Sequence, residues 1–144
     1  MNKYLTLLLI LIIPTNSFAL IEVDITRGNL NPLPIAVSPL SIDQDSKKNF
    51  EKILKKKNIG SEISLVIENN LKISGLFNPL NKDAFLQAPD IANLKPRFED
   101  WNLIKAQALI TGKVSFTNEK LRVEFRLWDV LAGKEMMALA FTTV

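Results

Sequence analysis

The stretch that most constrains the fold is "KLRVEFRLWDV", Lys120 to Val130. Leu121, Val123, Phe125 and Leu127 occupy alternate positions, with Arg122, Glu124, Arg126 and Trp128 between them. Successive strand side chains point to opposite faces, so this period of two predicts a half-buried strand with an apolar and a polar face. "AQALITGKVSF" before it and "KEMMALAFTTV" after it read as strands too. Thr117-Asn118-Glu119 and Leu131-Ala132-Gly133 supply turns, so the three strands form a meander.

Upstream, "IEVDIT" alternates Ile21, Val23 and Ile25 with polar residues and reads as a strand. "RGNLNPLP" is a loop, and "LPIAVSPL", Leu33 to Leu40, is a short buried strand. "SEISLVIENNLKISG" predicts a helix with Ser61 as cap, Glu62 in the first turn and an apolar face of Ile63, Val66, Ile67 and Leu71. Gly75 takes the left-handed conformation that ends it. "LFNPLNK" then turns back, seating Phe77 and Leu80 in the core. Pro79 has no N–H, so any strand here is short or at an edge. A second short helix starts near Pro96 and carries Phe98, Trp101, Leu103 and Ile104. Strands with intervening helices argue for an α/β fold: a single mixed β-sheet with helices packed on a face.

The 144 residues suit one domain. Cysteine and histidine are both absent. This excludes disulfides, thiolate metal sites and triads of the Ser-His-Asp or Cys-His type within the chain. Asp24, Glu99, Asp100, Glu124 and Asp129 are the carboxylates in or near ordered elements, and no two stand out as a facing catalytic pair. Asp129 reads as a turn acceptor. "TGK" at Thr111 to Lys113 lacks the rest of a phosphate loop, so Gly112 reads as a strand glycine. Trp101 and Trp128 read as core or interface anchors. No catalytic, cofactor or metal residue is assigned; the residues point to a binding or scaffolding domain rather than an enzyme.

Formal net charge is +3, unevenly placed. Lysines 47, 48, 52, 55, 56 and 57 against Glu51 make one short segment +5; with Lys3 also set aside, the remainder is −3. Phe50, Ile53, Leu54 and Lys57 fall at helical spacing, so a short amphipathic helix fits here. Nucleic-acid binding needs base-stacking aromatics beside the charge, and Phe50 sits on the apolar side, so no nucleic-acid partner is expected. A solvated face is the plainer reading, with a peripheral contact to anionic lipid heads or an acidic partner left open.

The N-terminus "MNKYLTLLLILIIPTNSFA" has Lys3, an apolar run from Leu5 to Ile13, a break at Pro14 and small residues at Ser17 and Ala19. That pattern is a secretory signal peptide, with cleavage between Ala19 and Leu20. Residues 1–19 are thus expected to be the leader and residues 20–144 the domain, working outside the cytoplasm.

Four motifs in order resemble the TolB N-terminal domain family of the Tol-Pal cell-envelope system. They are the proline-bounded strand Pro34–Pro39, "SGLFNPL" at Ser74–Leu80, the Trp helix and Gly strand across Trp101–Val114, and "LWDVLAG" at Leu127–Gly133. The resemblance covers nearly all of the chain after the leader. It implies a non-enzymatic adaptor serving outer-membrane integrity, cell division and protein import. It also implies a contact with the TolA C-terminal domain through the segment exposed by cleavage. By position that is Leu20, Ile21, Glu22, Val23, Asp24, Ile25, Thr26 and Arg27, continuing to about Asn31. In the family a β-propeller binds the lipoprotein Pal, and no propeller repeat stands in this sequence, so no Pal contact is assigned. The family's closing helix also falls past Val144, so the expectation is an uncovered apolar sheet face and a tendency to associate. The lysine-rich segment is longer than the family's usual loop. The alternatives are another envelope-assembly scaffold, or a non-functional fragment of a split TolB gene.

Overall fold

The computed structural model describes residues 31–50, 52, 55, 58–90, 95–117 and 120–143. The strand expected at Ile21–Thr26 lies outside the described residues. Among the described residues the sheet has six strands: β1 Leu33–Val37, β2 Ser41–Ile42, β3 Phe77–Pro79, β4 Ala108–Thr117, β5 Lys120–Asp129 and β6 Lys134–Thr142. Three helices accompany them: α1 Gln44–Asn49, α2 Ile59–Ile73 and α3 Phe98–Leu103. The strand order is β3-β1-β4-β5-β6, with β2 also pairing to β4. β1 runs parallel to β3 and β4, while β4, β5 and β6 are antiparallel, so the sheet is mixed as its sequence order implies.

Cross-strand partners share a face, and this sorts the core into two clusters. Ala36 pairs with Leu109 and Leu109 with Trp128. With Trp101, Ala106 and Val130 they form one cluster, against which Leu80, Phe85 and Ile104 pack. Residues one step along face the other way. There Val114, Leu40 and Phe50 are buried, with Ile59, Ile63 and Ile67 of α2 and Val123 and Phe125 of β5 around them. Leu121, Val123 and Phe125 therefore share a face, as the alternation requires.

α1 is short, and buried anchors rather than intrinsic propensity hold it. The Asp43 carboxylate accepts from the Ser46 N–H at 2.8 Å and from its hydroxyl at 2.9 Å, capping the first turn. The Ser46 hydroxyl oxygen also accepts the Phe116 N–H at 2.7 Å, tying α1 to β4. Phe50, 2% exposed, leaves the last turn of α1 and stacks at a tilt on Phe116, 5.6 Å between centroids.

α2 begins at Ile59 after Asn58, so Ser61 lies inside its first turn and does not cap it. The start is set by a close crossing: Leu40 N–H donates to the Gly60 carbonyl at 3.3 Å, and a Cβ on Gly60 would overlap the Leu40 carbonyl oxygen. Gly60 and Ser64 are the buried residues of α2. Small side chains let the backbone come close, and this turns the helix so that Ile63 and Ile67 face the core while Val66 is 59% exposed. The expected apolar face thus holds at Ile63 and Ile67 and fails at Val66.

The helix stop is as expected. Gly75 has φ +72° and donates to the Lys72 carbonyl at 3.2 Å. The chain reverses into β3, an edge strand beside β1, where Pro79 costs no ladder bond to a further neighbour. Leu80 reaches the Trp101 cluster, but Phe77 is only half-buried and belongs to neither cluster. A three-residue edge strand has a neighbour on one side only, so its first side chain stays partly in water. In α3 Trp101 is 1% exposed and Leu103 is 70% exposed. Two residues along a helix is about 200°, so Leu103 faces away from the burial direction of Trp101.

Candidate functional site

The residues expected to bind a partner, Leu20 to Arg27, and the cleavage pair Ala19 and Leu20 lie outside the described residues. Where the described chain enters the sheet is defined: Leu33 N–H donates to the Leu76 carbonyl at 2.9 Å, and Leu33 stands opposite Phe77. The segment before β1 therefore joins the domain beside the Gly75 reversal.

Asp24 lies outside the described residues; among the described ones, the carboxylates singled out in the sequence have separate partners where partners are seen. Asp100 binds Arg97, with Oδ2 2.6 Å from Nη2. Glu124 accepts from Arg122 Nε at 2.8 Å, and Asp129 accepts the Ala132 N–H at 2.9 Å as the turn acceptor expected of it. Glu68 of α2 pairs with Lys82 at 2.8 Å, pinning the turn after β3 to the helix. Burial pushes the Asp43 carboxyl up, but the Ser46 hydrogen bonds and the nearby Lys113 ammonium outweigh burial and hold it below the usual carboxylate value. Among the described residues no three acidic side chains are grouped to hold a metal ion.

The indole donors are structural. Trp128 Nε1 donates to the Thr111 hydroxyl at 2.9 Å, and Trp101 Nε1 donates to Gln87 Oε1 at 2.9 Å. Gln87 was not marked by sequence reasoning. Its only signal is a polar side chain between Leu86 and Ala88-Pro89, and that does not reveal burial.

One exposed feature with a defined shape is apolar. β6 ends the strand order, and every residue along it is exposed. Beside it a groove of about 240 Å³ runs between Ile67 of α2 and Met137 and Leu139 of β6, floored by Ile110, Phe125 and Leu127, with Arg126 also lining it. Phe141 continues the strip, 6.2 Å from Phe125 between ring centroids. α2 covers the β1–β3 side of this sheet face and stops short of β6. Such a surface can seat the apolar side chains of another element.

The profile of the TolB amino-terminal domain family matches residues 21–136. The chain is 80% identical over 142 residues to the Tol-Pal system protein TolB of Pelagibacter ubique (strain HTCC1062). That match covers 99% of this chain and 32% of the relative, so the chain spans about a third of the relative's length. Among solved structures, it superposes on TolB from Acinetobacter baumannii with a TM-score of 0.54 at 18% identity, covering 76% of this chain and 23% of that one. The LpoB C-terminal domain from Escherichia coli superposes with a TM-score of 0.56 at 12% identity, covering 83% of this chain and 87% of that domain. At these identities the structural likenesses speak for the fold alone.

Proposed function

The chain belongs to the TolB amino-terminal domain family, and from that premise we propose that it is a protein-binding module of the Tol-Pal cell-envelope system. It is exported, cut between Ala19 and Leu20, and works in the periplasm. It engages the TolA C-terminal domain through Leu20 to Arg27 and on to about Asn31. Its roles are those of the system: outer-membrane integrity, cell division and protein import.

The observation that carries this reading is the 80% identity across almost the whole chain to a relative named for the Tol-Pal system. Two structural facts support a binder over a catalyst. Asp100, Glu124 and Asp129 are engaged in two ion pairs and a turn, and an apolar groove lies beside β6. The alternating "LIEVDIT" can add as a strand to a partner's sheet edge, with main-chain bonds giving affinity and Ile21, Val23 and Ile25 giving specificity.

The test is a titration of the exported chain against the TolA C-terminal domain, with and without Leu20 to Asn31. Saturable binding is expected, and it should vanish with the deletion. Equal affinity in both forms would place the contact elsewhere. N-terminal sequencing of the exported protein should begin at Leu20; an intact Met1 would remove the proposed processing.

A further inference from the structure

We propose that the lysines flanking Phe50 form a docking surface for the phosphate headgroups of an anionic lipid bilayer. This goes beyond the protein contact proposed above and does not depend on it.

Ser46 and Phe50 are anchored in the fold. The buried Phe50 sits against Leu40 and Val114, and Ser46 is bonded to both Asp43 and the Phe116 N–H. From that anchored base Lys47, Lys48, Lys52 and Lys55 all project as exposed residues. Ser46 and Phe50 take the inward positions, so the lysines among the described residues of this stretch are left in water. Asp43, before the first turn of α1, is committed to Ser46 and, at 3.9 Å, to Lys113. Asp45 is the remaining acid of α1. Outside this segment and the leader the chain is net negative, so an anionic plane attracts this end of the domain and repels the rest, orienting the molecule.

The chemistry selects the ligand. All four cations are lysines, mobile point charges without the fixed fork of arginine. They suit a plane of phosphates with no set spacing better than bidentate recognition of one group. The aromatic ring of the segment is buried, so bases have nothing to stack on and single-stranded nucleic acid is disfavoured. A tight protein contact would want a desolvated aromatic or arginine anchor, and these exposed lysines supply none.

The experiment measures partitioning of the full chain onto vesicles of phosphatidylcholine alone and of phosphatidylcholine mixed one-to-one with phosphatidylglycerol. The readout is the ratio of the two partition coefficients, because insertion of the apolar run Leu5–Ile13 contributes the same free energy on both vesicles and so multiplies both coefficients by one factor, which cancels. Each lysine near an anionic surface raises partitioning about fivefold. The variant K47Q/K48Q/K52Q/K55Q should therefore lower the ratio by about a hundredfold or more. High salt should lower the parent's ratio in the same direction. A control, K72Q/K95Q/K105Q/K120Q, removes the same charge elsewhere and should leave most of the ratio. The set K47R/K48R/K52R/K55R should keep it. A parent with no preference for the anionic vesicles overturns the proposal. So does a glutamine variant that keeps the parent's ratio, a control that loses as much, or an arginine set that fails to retain it.

Discussion

Trp101 donates its indole N–H to Oε1 of Gln87 across 2.9 Å, with both side chains withdrawn from water. The same oxygen accepts the Arg97 N–H at 3.0 Å, and Gln87 Nε2 donates to the Lys95 carbonyl at 3.3 Å. One side chain thus ties the loop after β3 to the start of α3. Gln87→Leu keeps most of the volume but leaves two N–H donors unpaired, and a buried unsatisfied group costs about 1–3 kcal/mol. The expected loss is about 2–4 kcal/mol in urea unfolding. A loss under about 0.5 kcal/mol would mean that water satisfies the donors and the node is not closed.

Gly60 is where α2 passes closest to the main chain at Leu40. Gly60→Ala should destabilise by about 1–3 kcal/mol, although alanine is the better helix former, because the added carbon has to displace backbone. Ser61→Ala should change stability by less than about 0.5 kcal/mol, since Ser61 is exposed and does not cap the helix. The reverse ranking in a thermal melt would restore Ser61 as the helix start.

Phe77→Ala should cost about 1–2 kcal/mol, because its ring is half in water at an edge strand. Trp101→Ala should cost about 3–5 kcal/mol, as expected of a large buried aromatic. That ring also meets Phe85 edge-on, 5.0 Å between centroids. Equal losses at the two positions would show that the corner at Phe77 is packed as tightly as the core.

Asp43 links stability to pH. Its folded pKa is lowered, so its contribution is fully present above the unfolded value of about 3.9 and is lost as pH falls through the folded value. Asp43→Ala should cost about 1 kcal/mol near neutral pH, mainly as a lost cap. The gap between parent and variant should narrow below about pH 4. The carboxyl side chain is 36% exposed, so its attraction to Lys113 adds little. A gap that widens on acidification would contradict the sign of the shift.

Part of this fold is governed by neighbours along the chain and is legible there. The period of two fixes the two faces of β5. Gly75 ends α2 because a residue without Cβ enters the left-handed region at no steric cost. Pro79 confines β3 to an edge because it lacks a donor, and four motifs in order disclosed the family. The same resemblance points to Leu20–Arg27. The rest depends on residues far apart in sequence. Gly60 against Leu40 sets the rotation of α2, which buries Ser64 and leaves Val66 in water. Ser46 gains its role from Phe116, 70 positions away, and Gln87 from a tryptophan 14 positions on. The apolar groove exists because α2 lies over β1 and β3 and leaves β6 uncovered. A side chain's propensity is local, but its burial and its hydrogen-bond partner are set by where distant backbone happens to lie, and no local pattern encodes that.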